Sequence, residues 1–217
     1  MSSAPLAPAS VRTSVRIPLQ FSDGYRVEAQ VFTFDGLTDG LEHVALGLGD
    51  YRHTDTPLVR LHSECLTGDV FGSARCDCGP QLRDATEQIA GAGGYLLYLR
   101  QEGRGIGLYN KLDAYALQDQ GLNTYEANEA LGLPSDGRDY TAAAQMLGTL
   151  GAHRIELLSN NPDKAKQLAA NGIEIVRKVP TGVFVTPTNL HYLQTKVKVT
   201  GHQIVLESSP VLPAAAA

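Results

Sequence analysis

"RIELLSNNPDKAKQLAANGIEIVRKV", residues 154–179, is the stretch that most directly indicates the fold. It begins with a short apolar run typical of a buried strand, continues with a helical segment that has Pro162 in its first turn and Gly172 after its end, and finishes with a second strand. Two strands joined by a helix usually lie side by side in parallel. Part of the sheet is therefore predicted to be parallel.

The first sixty residues have a different texture, in which strands dominate. "RTSVRIPL" (12–19) and "YRVEAQVFTF" (25–34) alternate apolar and polar residues on either side of the turn "SDG", which predicts an antiparallel hairpin. Further segments follow, with strands predicted over 42–49, 57–65 and 94–100 and helices over 81–93, 107–120 and 138–151. The predicted fold class is α/β, with a mixed β-sheet that is antiparallel in its N-terminal part and has flanking helices.

Composition and charge exclude several classes of function. The chain has 217 residues, a net charge of −5 and 43% hydrophobic residues, which fits one α/β domain and argues against a broadly basic nucleic-acid-binding surface. No apolar run approaches a membrane span, and the N-terminus does not have the pattern of a secretory signal. We therefore expect a cytoplasmic protein with no nucleic-acid or membrane partner. Residues 1–11 and 206–217 are predicted to be disordered tails around one domain, 12–205.

All three cysteines of the chain lie close together in "SECLTGDVFGSARCDCG", residues 63–79. Cys65, Cys76 and Cys78 follow the pattern C-x10-C-x-C, and an odd number of cysteines without a secretory signal argues against a disulfide framework. Three thiolates supply three of the four tetrahedral positions of a zinc ion. The fourth would be His62, His53 or another histidine in a structural site, or water in a catalytic one, which the ligand count favours. The alternative is three unconnected buried thiols.

Several groups suited to an anionic ligand stand near these cysteines. Arg60, His62, Ser63 and Glu64 precede Cys65, and Gln81 follows the cluster. After the predicted strand 94–100 comes "QEGRGIG", where Glu102 and Arg104 could project into a crevice at the carboxyl end of the sheet. Arg suits phosphate oxygens, and Glu suits the donor edge of guanine. Taken alone, this turn could also be an ordinary loop.

Two later motifs permit both a functional and a structural interpretation. In "SNNPDK" (159–164), a hydroxyl and Lys164 stand at a helix N-terminus, which favours an anion site, but the simpler interpretation is an Asn cap with a solvated lysine. "LPSDGRDY" (133–140) predicts a loop carrying Asp136 and Arg138, either a lid or a surface turn in which Asp139 caps the next helix. Tyr115 is expected to be half-buried with its hydroxyl at a rim.

Taken together and in this order, these segments resemble one enzyme family. "RLHSECLTGD", "RCDCG", "RQEGRGIGL", "NKLDAYALQDQG", "TYEAN", "DGRDY" and "LLSNNPDK" are similar to the motifs of GTP cyclohydrolase II, the enzyme that opens riboflavin biosynthesis. The resemblance runs from about Val44 to His202. Ser159 stands where the family pattern would have Thr, and "VPTGVFVTPTN" (179–189) is looser than the pattern.

The resemblance implies a role for each matching residue. Cys65, Cys76 and Cys78 would hold one Zn²⁺ per subunit, with water completing the shell. Asp136 would be the proton acceptor and Arg138 the group that attacks the α-phosphate, while Tyr115 would lie beside the ring-opening chemistry. Because a guanidinium stays protonated in proteins, purely electrostatic stabilisation by Arg138 remains an alternative. The residues that would bind GTP are Arg60, Leu61, His62, Ser63, Glu64, Gln81, Glu102, Gly103, Arg104, Thr124, Ser159 and Lys164.

The resemblance also implies an overall reaction and an assembly. Family members are homodimers that use Mg²⁺ with the triphosphate and convert GTP to formate, diphosphate and 2,5-diamino-6-ribosylamino-4(3H)-pyrimidinone 5′-phosphate. The chain has no room for the companion synthase domain of some relatives, so we expect it to be monofunctional. The alternatives are a related enzyme that stops at the ring-opened formamide and a zinc module that binds a nucleotide without turnover. The H-x-E…P-C-x-x-C signature of zinc deaminases is absent from the sequence.

Overall fold

The computed structural model describes residues 8–134, 136–190 and 193. Within them, seven strands form one sheet in the order β1-β2-β3-β5-β4-β6-β7. The strands are β1 Ser10–Gln20, β2 Arg26–Asp35, β3 Val44–Leu48, β4 Leu58–Ser63, β5 Gly94–Leu99, β6 Arg154–Leu158 and β7 Glu174–Val179. The predicted α/β class and mixed sheet are confirmed.

The two halves of the sheet differ in strand direction, as the sequence predicted. β1, β2, β3 and β5 pair antiparallel, and the hairpin of β1 and β2 has a register running from Ser10 opposite Asp35 to Gln20 opposite Arg26. β4 is parallel to β5 and to β6, and β6 is parallel to β7. The stretch 154–179 thus forms the parallel strand–helix–strand unit that its sequence indicates.

Six α-helices and one 3-10 turn connect these strands in the described residues. The helices are α1 Leu66–Asp69, α2 Cys78–Ala92, α3 Leu108–Gln118, α4 Thr124–Ala130, α5 Thr141–Thr149 and α6 Pro162–Ala170, and the turn is Glu102–Gly105. The sequence did not predict α1, α4 or the 3-10 turn, because each is too short to establish a hydrophobic period. None of the described helices combines the length and apolar character needed to cross a bilayer.

The sheet separates two hydrophobic clusters. On one face, Ala85 and Ile89 of α2 pack against Leu58 and Leu96. On the other, the alanine-rich helix α5 packs with Val59 and its neighbours in the larger cluster. Each central strand is buried on both faces, which explains why β5 reads as the apolar run "GYLLYL".

Strand β4 is paired unequally on its two sides. It pairs with β5 along its whole length, from Leu58 to Ser63, but with β6 only at Leu58 and Val59. The chain passes from β4 to β5 on one side of β4 and then crosses to β6 on the other side. In α/β sheets such a switch point forms a crevice beyond the carboxyl ends of the strands. The functional residues should therefore gather beyond Val59.

One boundary differs from the sequence prediction. β1 begins at Ser10, and Ser10 and Val11 pair with Asp35 and Phe34, so this strand starts inside the segment 1–11 that was predicted to be a disordered tail. Pairing with a partner strand supplies order that the Pro- and Ser-rich composition does not indicate. Residues 1–7, the predicted C-terminal tail 206–217 and the motif end at His202 lie outside the described residues.

Candidate functional site

The three cysteines meet at the point where the chain passes from β4 to α2. Cys65 follows the end of β4, Cys76 lies in the loop after α1, and Cys78 is the first residue of α2. Their Sγ atoms all lie within 4.8 Å of one another, and the Sγ atoms of Cys65 and Cys76 are 3.7 Å apart. None of the three forms a disulfide. The reading of three unconnected thiols is therefore wrong, because the fold brings them into one cluster.

The local packing fits a metal ion held by these thiols. A Cβ atom at Gly68 would lie 2.7 Å from Cys76 Sγ and 3.1 Å from Cys65 Sγ, so only glycine leaves the sulfur atoms room. Gly79 is similarly required, since its Cβ would lie 2.5 Å from the Gly68 carbonyl oxygen. Clustered soft thiolates are the donor set that zinc prefers. The residues present thus fit a zinc ion.

Neither histidine considered as a fourth ligand joins this cluster. His62 Nε2 lies 3.1 Å from both carboxylate oxygens of Asp69, and its ring stacks on Tyr98 with 5.5 Å between centroids. His53 Nδ1 contacts Asp50 on an exposed loop. Among the described residues, the cluster of potential ligands contains only the three cysteines. Within the described residues, neither His62 nor His53 therefore adds a ligand to the three cysteines.

Proton sharing within the cluster favours a thiolate at Cys65. Hydrogen bonds from Cys76 and Cys78, together with the ammonium group of Lys111, hold the pKa of Cys65 well below its ordinary value despite burial. The hydrogen bond to Cys65 raises the pKa of Cys76 in turn. The thiolate is the form that binds metal, so the direction of this shift is compatible with Cys65 as a metal ligand.

Two side chains of β4 line the cleft beside the cysteines. Arg60 is 6% exposed and donates from its guanidinium to Gln81 Oε1 at 2.9 Å, and Gln81 in turn donates to Asp77 Oδ2. Burial lowers the pKa of His62, although its contact with Asp69 acts in the opposite direction. The structure thus places Arg60, His62 and Gln81 in the lining of the same cleft as the cysteines.

Three buried side-chain atoms of the described residues have no hydrogen-bond partner. They are Arg60 Nε, His62 Nδ1 and the Tyr140 hydroxyl. Arg60 and His62 both line the cleft. Buried polar atoms in native proteins are nearly always paired, so a site that leaves two such atoms unpaired is prepared for a polar ligand or for water.

The turn after β5 has a strained backbone. Gly103 and Arg104 both adopt left-handed conformations, with φ of 61° and 62°, and Arg104 is the one non-glycine residue of the described chain with positive φ. Such conformations concentrate at functional sites because the surrounding structure must hold them. The Glu102 carboxylate holds this turn, because it accepts hydrogen bonds from the main-chain N–H groups of Gly103 at 2.8 Å and of Leu66 at 2.6 Å.

Lys111 of α3 is a site residue that the sequence did not single out. It is 8% exposed and lies within hydrogen-bond distance of Cys65, Thr67 and Glu102. Burial would lower its pKa, but the hydrogen bond to Glu102 and the negative charge nearby raise it above the ordinary value. Its only sequence signal is its spacing four residues before Tyr115, which places both side chains on one helix face.

For segment 159–164, the sequence left open an anion site or an Asn cap with a solvated lysine. Asn161 caps α6, and its side chain accepts a hydrogen bond from Asp163 N at 2.9 Å, as the structural interpretation predicted. The expectation of a solvated Lys164 is wrong, since this side chain is 8% exposed and Nζ donates to the Leu61 carbonyl oxygen at 2.6 Å. The ammonium group occupies the gap that opens between β4 and β6, and Ser159 lines the same cleft.

Asp136 and Arg138 form an ion pair with each other in the loop before α5. Arg138 Nε also donates to Asp136 Oδ1 at 2.8 Å, and Gly137 N donates to the Arg104 carbonyl oxygen at 3.0 Å. Burial would raise the pKa of Asp136, but the hydrogen bonds and charge of Arg138 lower it below the ordinary value. Arg138 lines the cleft, whereas Asp136, its ion-pair partner, is not among the lining residues.

The remaining predicted residues take different positions. Tyr115 is half-buried, as predicted, and its ring packs under Arg75, whose Cζ atom is 4.9 Å from the centroid. Leu61 is fully buried in the core, so its side chain is turned away from the cleft. Thr124 begins α4, and its side chain lies outside the described part of the chain.

Most of the predicted site residues line one cleft, together with residues that the sequence did not single out. Of the predicted residues, those lining it are Arg60, His62, Ser63, Glu64, Cys65, Cys76, Cys78, Gln81, Glu102, Gly103, Arg104, Tyr115, Arg138, Ser159 and Lys164. Those that were missed include Lys111, Asn128, Asn160 and Thr181. Asn160 donates to the Thr181 main chain and hydroxyl at 3.0 Å, a contact between distant segments that no local pattern reveals.

Comparisons with known proteins indicate the family of the chain. Residues 12–180 match the family model described as GTP cyclohydrolase II. The chain is 52% identical to a GTP cyclohydrolase-2 of Vibrio parahaemolyticus over 88% of its own length and 98% of the relative's, and 51% identical to that of Vibrio cholerae over 88% and 98%. It is also 56% identical to the riboflavin biosynthesis protein RibBA of Bacillus cytotoxicus, over 77% of this chain but 43% of the relative.

Proposed function

The chain belongs to the GTP cyclohydrolase II family, and from that membership together with the cleft we propose that it hydrolyses GTP to the diaminopyrimidinone nucleotide, formate and diphosphate. The observation that carries the proposal is the cluster of three Sγ atoms within 4.8 Å, which opens into a cleft lined by Arg138 and Lys164. A thiolate metal site beside cationic side chains suits a nucleotide that must lose both a ring carbon and a diphosphate.

We propose that Cys65, Cys76 and Cys78 hold a zinc ion. When bound, zinc supplies a Lewis acid that lowers the pKa of a bound water to near neutrality, which is the chemistry that attack on C8 of guanine requires. The support for zinc is the thiol donor set and the room that Gly68 leaves between the sulfur atoms. A structural site would need a fourth protein ligand, and neither His62 nor His53 occupies that position.

The cationic end of the cleft is proposed to bind the triphosphate. Lys164 and Arg138 provide positive charge, and Ser159 adds a hydroxyl beside the N-terminus of α6. Mg²⁺ is proposed to accompany the triphosphate and to share the charge of the leaving diphosphate. Glu64, Ser63 and Arg104 also line the cleft and are proposed to contact the nucleoside.

For Arg138, the ion pair favours electrostatic stabilisation over nucleophilic attack. Asp136 has a lowered pKa, which makes it a weak base, whereas a guanidinium loses its proton only above about pH 12. Asp136 is therefore poorly matched to deprotonate Arg138. We propose that it orients the guanidinium towards the α-phosphate, where fixed positive charge stabilises the developing negative charge.

The test is a complete product analysis. The zinc-loaded protein is incubated with GTP and Mg²⁺, formate and diphosphate are quantified, and the nucleotide is identified by mass spectrometry. Equal amounts of formate and diphosphate are expected. A nucleotide that retains the formyl carbon would show that the reaction stops at the formamide, and nucleotide binding without turnover would identify a binding module.

Two further features of the family are proposed for this chain. We expect a homodimer, which light scattering coupled to gel filtration would establish, and a cytoplasmic location, which cell fractionation would test. Their support is the family membership. Neither is needed for the geometry of the cleft described above.

A further inference from the structure

Lys111 is a buried cation, and two of its hydrogen-bond partners, Cys65 and Glu102, line the cleft. Its Nζ atom lies 3.2 Å from Cys65 Sγ, 3.0 Å from Thr67 Oγ1 and 2.8 Å from Glu102 Oε1. A buried charge is stable only when it is paired and hydrogen-bonded, and this ammonium group has a partner for each of its three protons. The fold therefore holds Lys111 in one fixed place against a proposed metal ligand.

Glu102 completes a closed set of contacts. One carboxylate oxygen accepts from Lys111 and from Gly103 N, and the other accepts from Leu66 N, the residue directly after Cys65. Three of its roughly four lone-pair positions are thus used within the protein. This leaves little capacity for Glu102 to accept both donors of a guanine edge. Its hydrogen bonds instead connect the residue after Cys65 to the strained turn 102–105.

The charges around Lys111 also support a role for this residue in holding the Cys65 thiolate. Three thiolates around a divalent ion carry a net charge of −1, and the Glu102 carboxylate adds another, so the ammonium group in contact with both reduces the sum from −2 to −1. Without the ammonium group, the buried Glu102 carboxylate would stand near Cys65 with no cation between them. A charge-assisted hydrogen bond also restricts the orientation of the thiolate.

We propose that Lys111 is a positioning residue that fixes the Cys65 thiolate for the metal ion and, through Glu102, ties the metal site to the turn 102–105. The inference rests on the proposed zinc centre and extends it to a residue on a different helix. Partners outside the ligand set orient metal ligands in this way, and their loss typically costs 10–100-fold in metal affinity or activity.

The experiment measures zinc retention, which does not depend on turnover. The full chain is loaded with zinc, and the release of the ion to a chromophoric chelator is followed for the wild type, Lys111→Met and Lys111→Arg. We expect release to be about 10–100-fold faster for Lys111→Met and largely restored towards the wild-type rate for Lys111→Arg, which keeps the cation. Lys166→Met, a change at an exposed position of α6, is the matched control and should release zinc at the wild-type rate.

A second variant guards against misfolding. Lys111→Gln keeps an uncharged donor on a side chain one bond shorter, so it tests the loss of the charge if Lys111→Met fails to fold, and its zinc release should also be faster than that of the wild type. Wild-type release rates in folded Lys111→Met or Lys111→Gln would overturn the inference. A wild-type protein that binds no zinc would instead overturn the zinc centre on which it rests, so the two failures are distinguishable.

Discussion

The two ends of the cleft are held in different ways. At the cysteine end, the thiols, Lys111 and Glu102 contact one another in the interior, and the glycine at position 68 leaves room for them. At the other end, Asp136 and Arg138 chiefly pair with each other within one loop. Under the proposed roles, the difference means that the metal ligands are held by interior contacts, whereas Arg138 would share its bond to Asp136 with an incoming phosphate. Four predictions test this contrast.

The largest effect is expected from loss of a metal ligand. Cys76→Ala removes one of three thiols, and two thiols do not make a closed tetrahedral donor set. We expect bound zinc to be lost and formate release to fall to the level of a control without enzyme. Zinc content by atomic spectroscopy and formate assay check the result. Circular dichroism serves as the control for folding, and a variant that kept both zinc and turnover would remove the cysteine cluster from the mechanism.

The next effect concerns the opposite end of the cleft. Arg138→Ala should lower diphosphate release by about 10²–10³-fold, the usual cost of losing one group that stabilises transition-state charge. Arg138→Lys keeps the charge and should retain part of the activity, with zinc content unchanged in both variants. Arg154→Ala, which removes an exposed arginine paired with Glu174, is the control. Complete inactivity of Arg138→Lys with normal GTP binding would favour an obligatory guanidinium nucleophile.

A glycine substitution tests whether the metal end is as tightly arranged as the contacts imply. The Cβ of Gly68→Ala would lie 2.7 Å from Cys76 Sγ, so the sulfur must move and zinc affinity should fall by about 10–100-fold. Gly91→Ala in α2 is the matched control, because its Cβ meets no atom within 4 Å. That change should leave zinc affinity intact and increase stability by roughly 0.5–1 kcal/mol. Equal zinc affinity in both variants would show that the cluster adapts easily.

The smallest effect is a dependence of stability on pH. Burial lowers the pKa of His62 below 6.5, so the unfolded chain binds a proton that the folded protein resists. Neutral His62 therefore contributes to the free energy of unfolding above the pKa of the unfolded chain. This contribution declines as the pH falls below about 6.5 and is lost below the pKa of the folded protein. His62→Gln should therefore lose less thermal stability than the wild type between pH 7.5 and 5.5.

The control for this last measurement is His53→Gln on the exposed loop, which should behave like the wild type. Melting temperatures at matched ionic strength give the comparison. An equal acid sensitivity of His62→Gln and the wild type would assign the pH dependence to other groups.

Local patterns predicted the elements better than their arrangement. The hairpin 12–34 and the unit 154–179 follow from periodicity and from turn residues, which act over a few positions. That β5 lies between β3 and β4 does not follow from any local signal, because strand order is set by packing between segments far apart in the chain. Helix α1 has four residues, too few for a periodic signal.

The short range of local patterns also explains which site residues could be predicted and which could not. The cysteines could be grouped from spacing, because a thiol cluster has few alternatives once a disulfide framework is unfavourable. Lys111 and Lys164 were not predicted to be buried, since lysine is almost always exposed unless a partner is present. Their partners, Glu102 and the Leu61 carbonyl oxygen, lie in other segments. Burial of a charge is thus a tertiary property, and sequence composition does not report it.

The short ladder between β4 and β6 has a consequence for redesign. The cleft exists because main-chain pairing stops after Val59, so its opening is a property of the backbone and not of the side chains that line it. Lining residues such as Ser159 can therefore be varied in a library while the sheet is left unchanged, but Asn160 should be kept because its hydrogen bonds to Thr181 join two segments. Selectivity towards other nucleotides can then be explored in this cleft, with the three cysteines left unchanged.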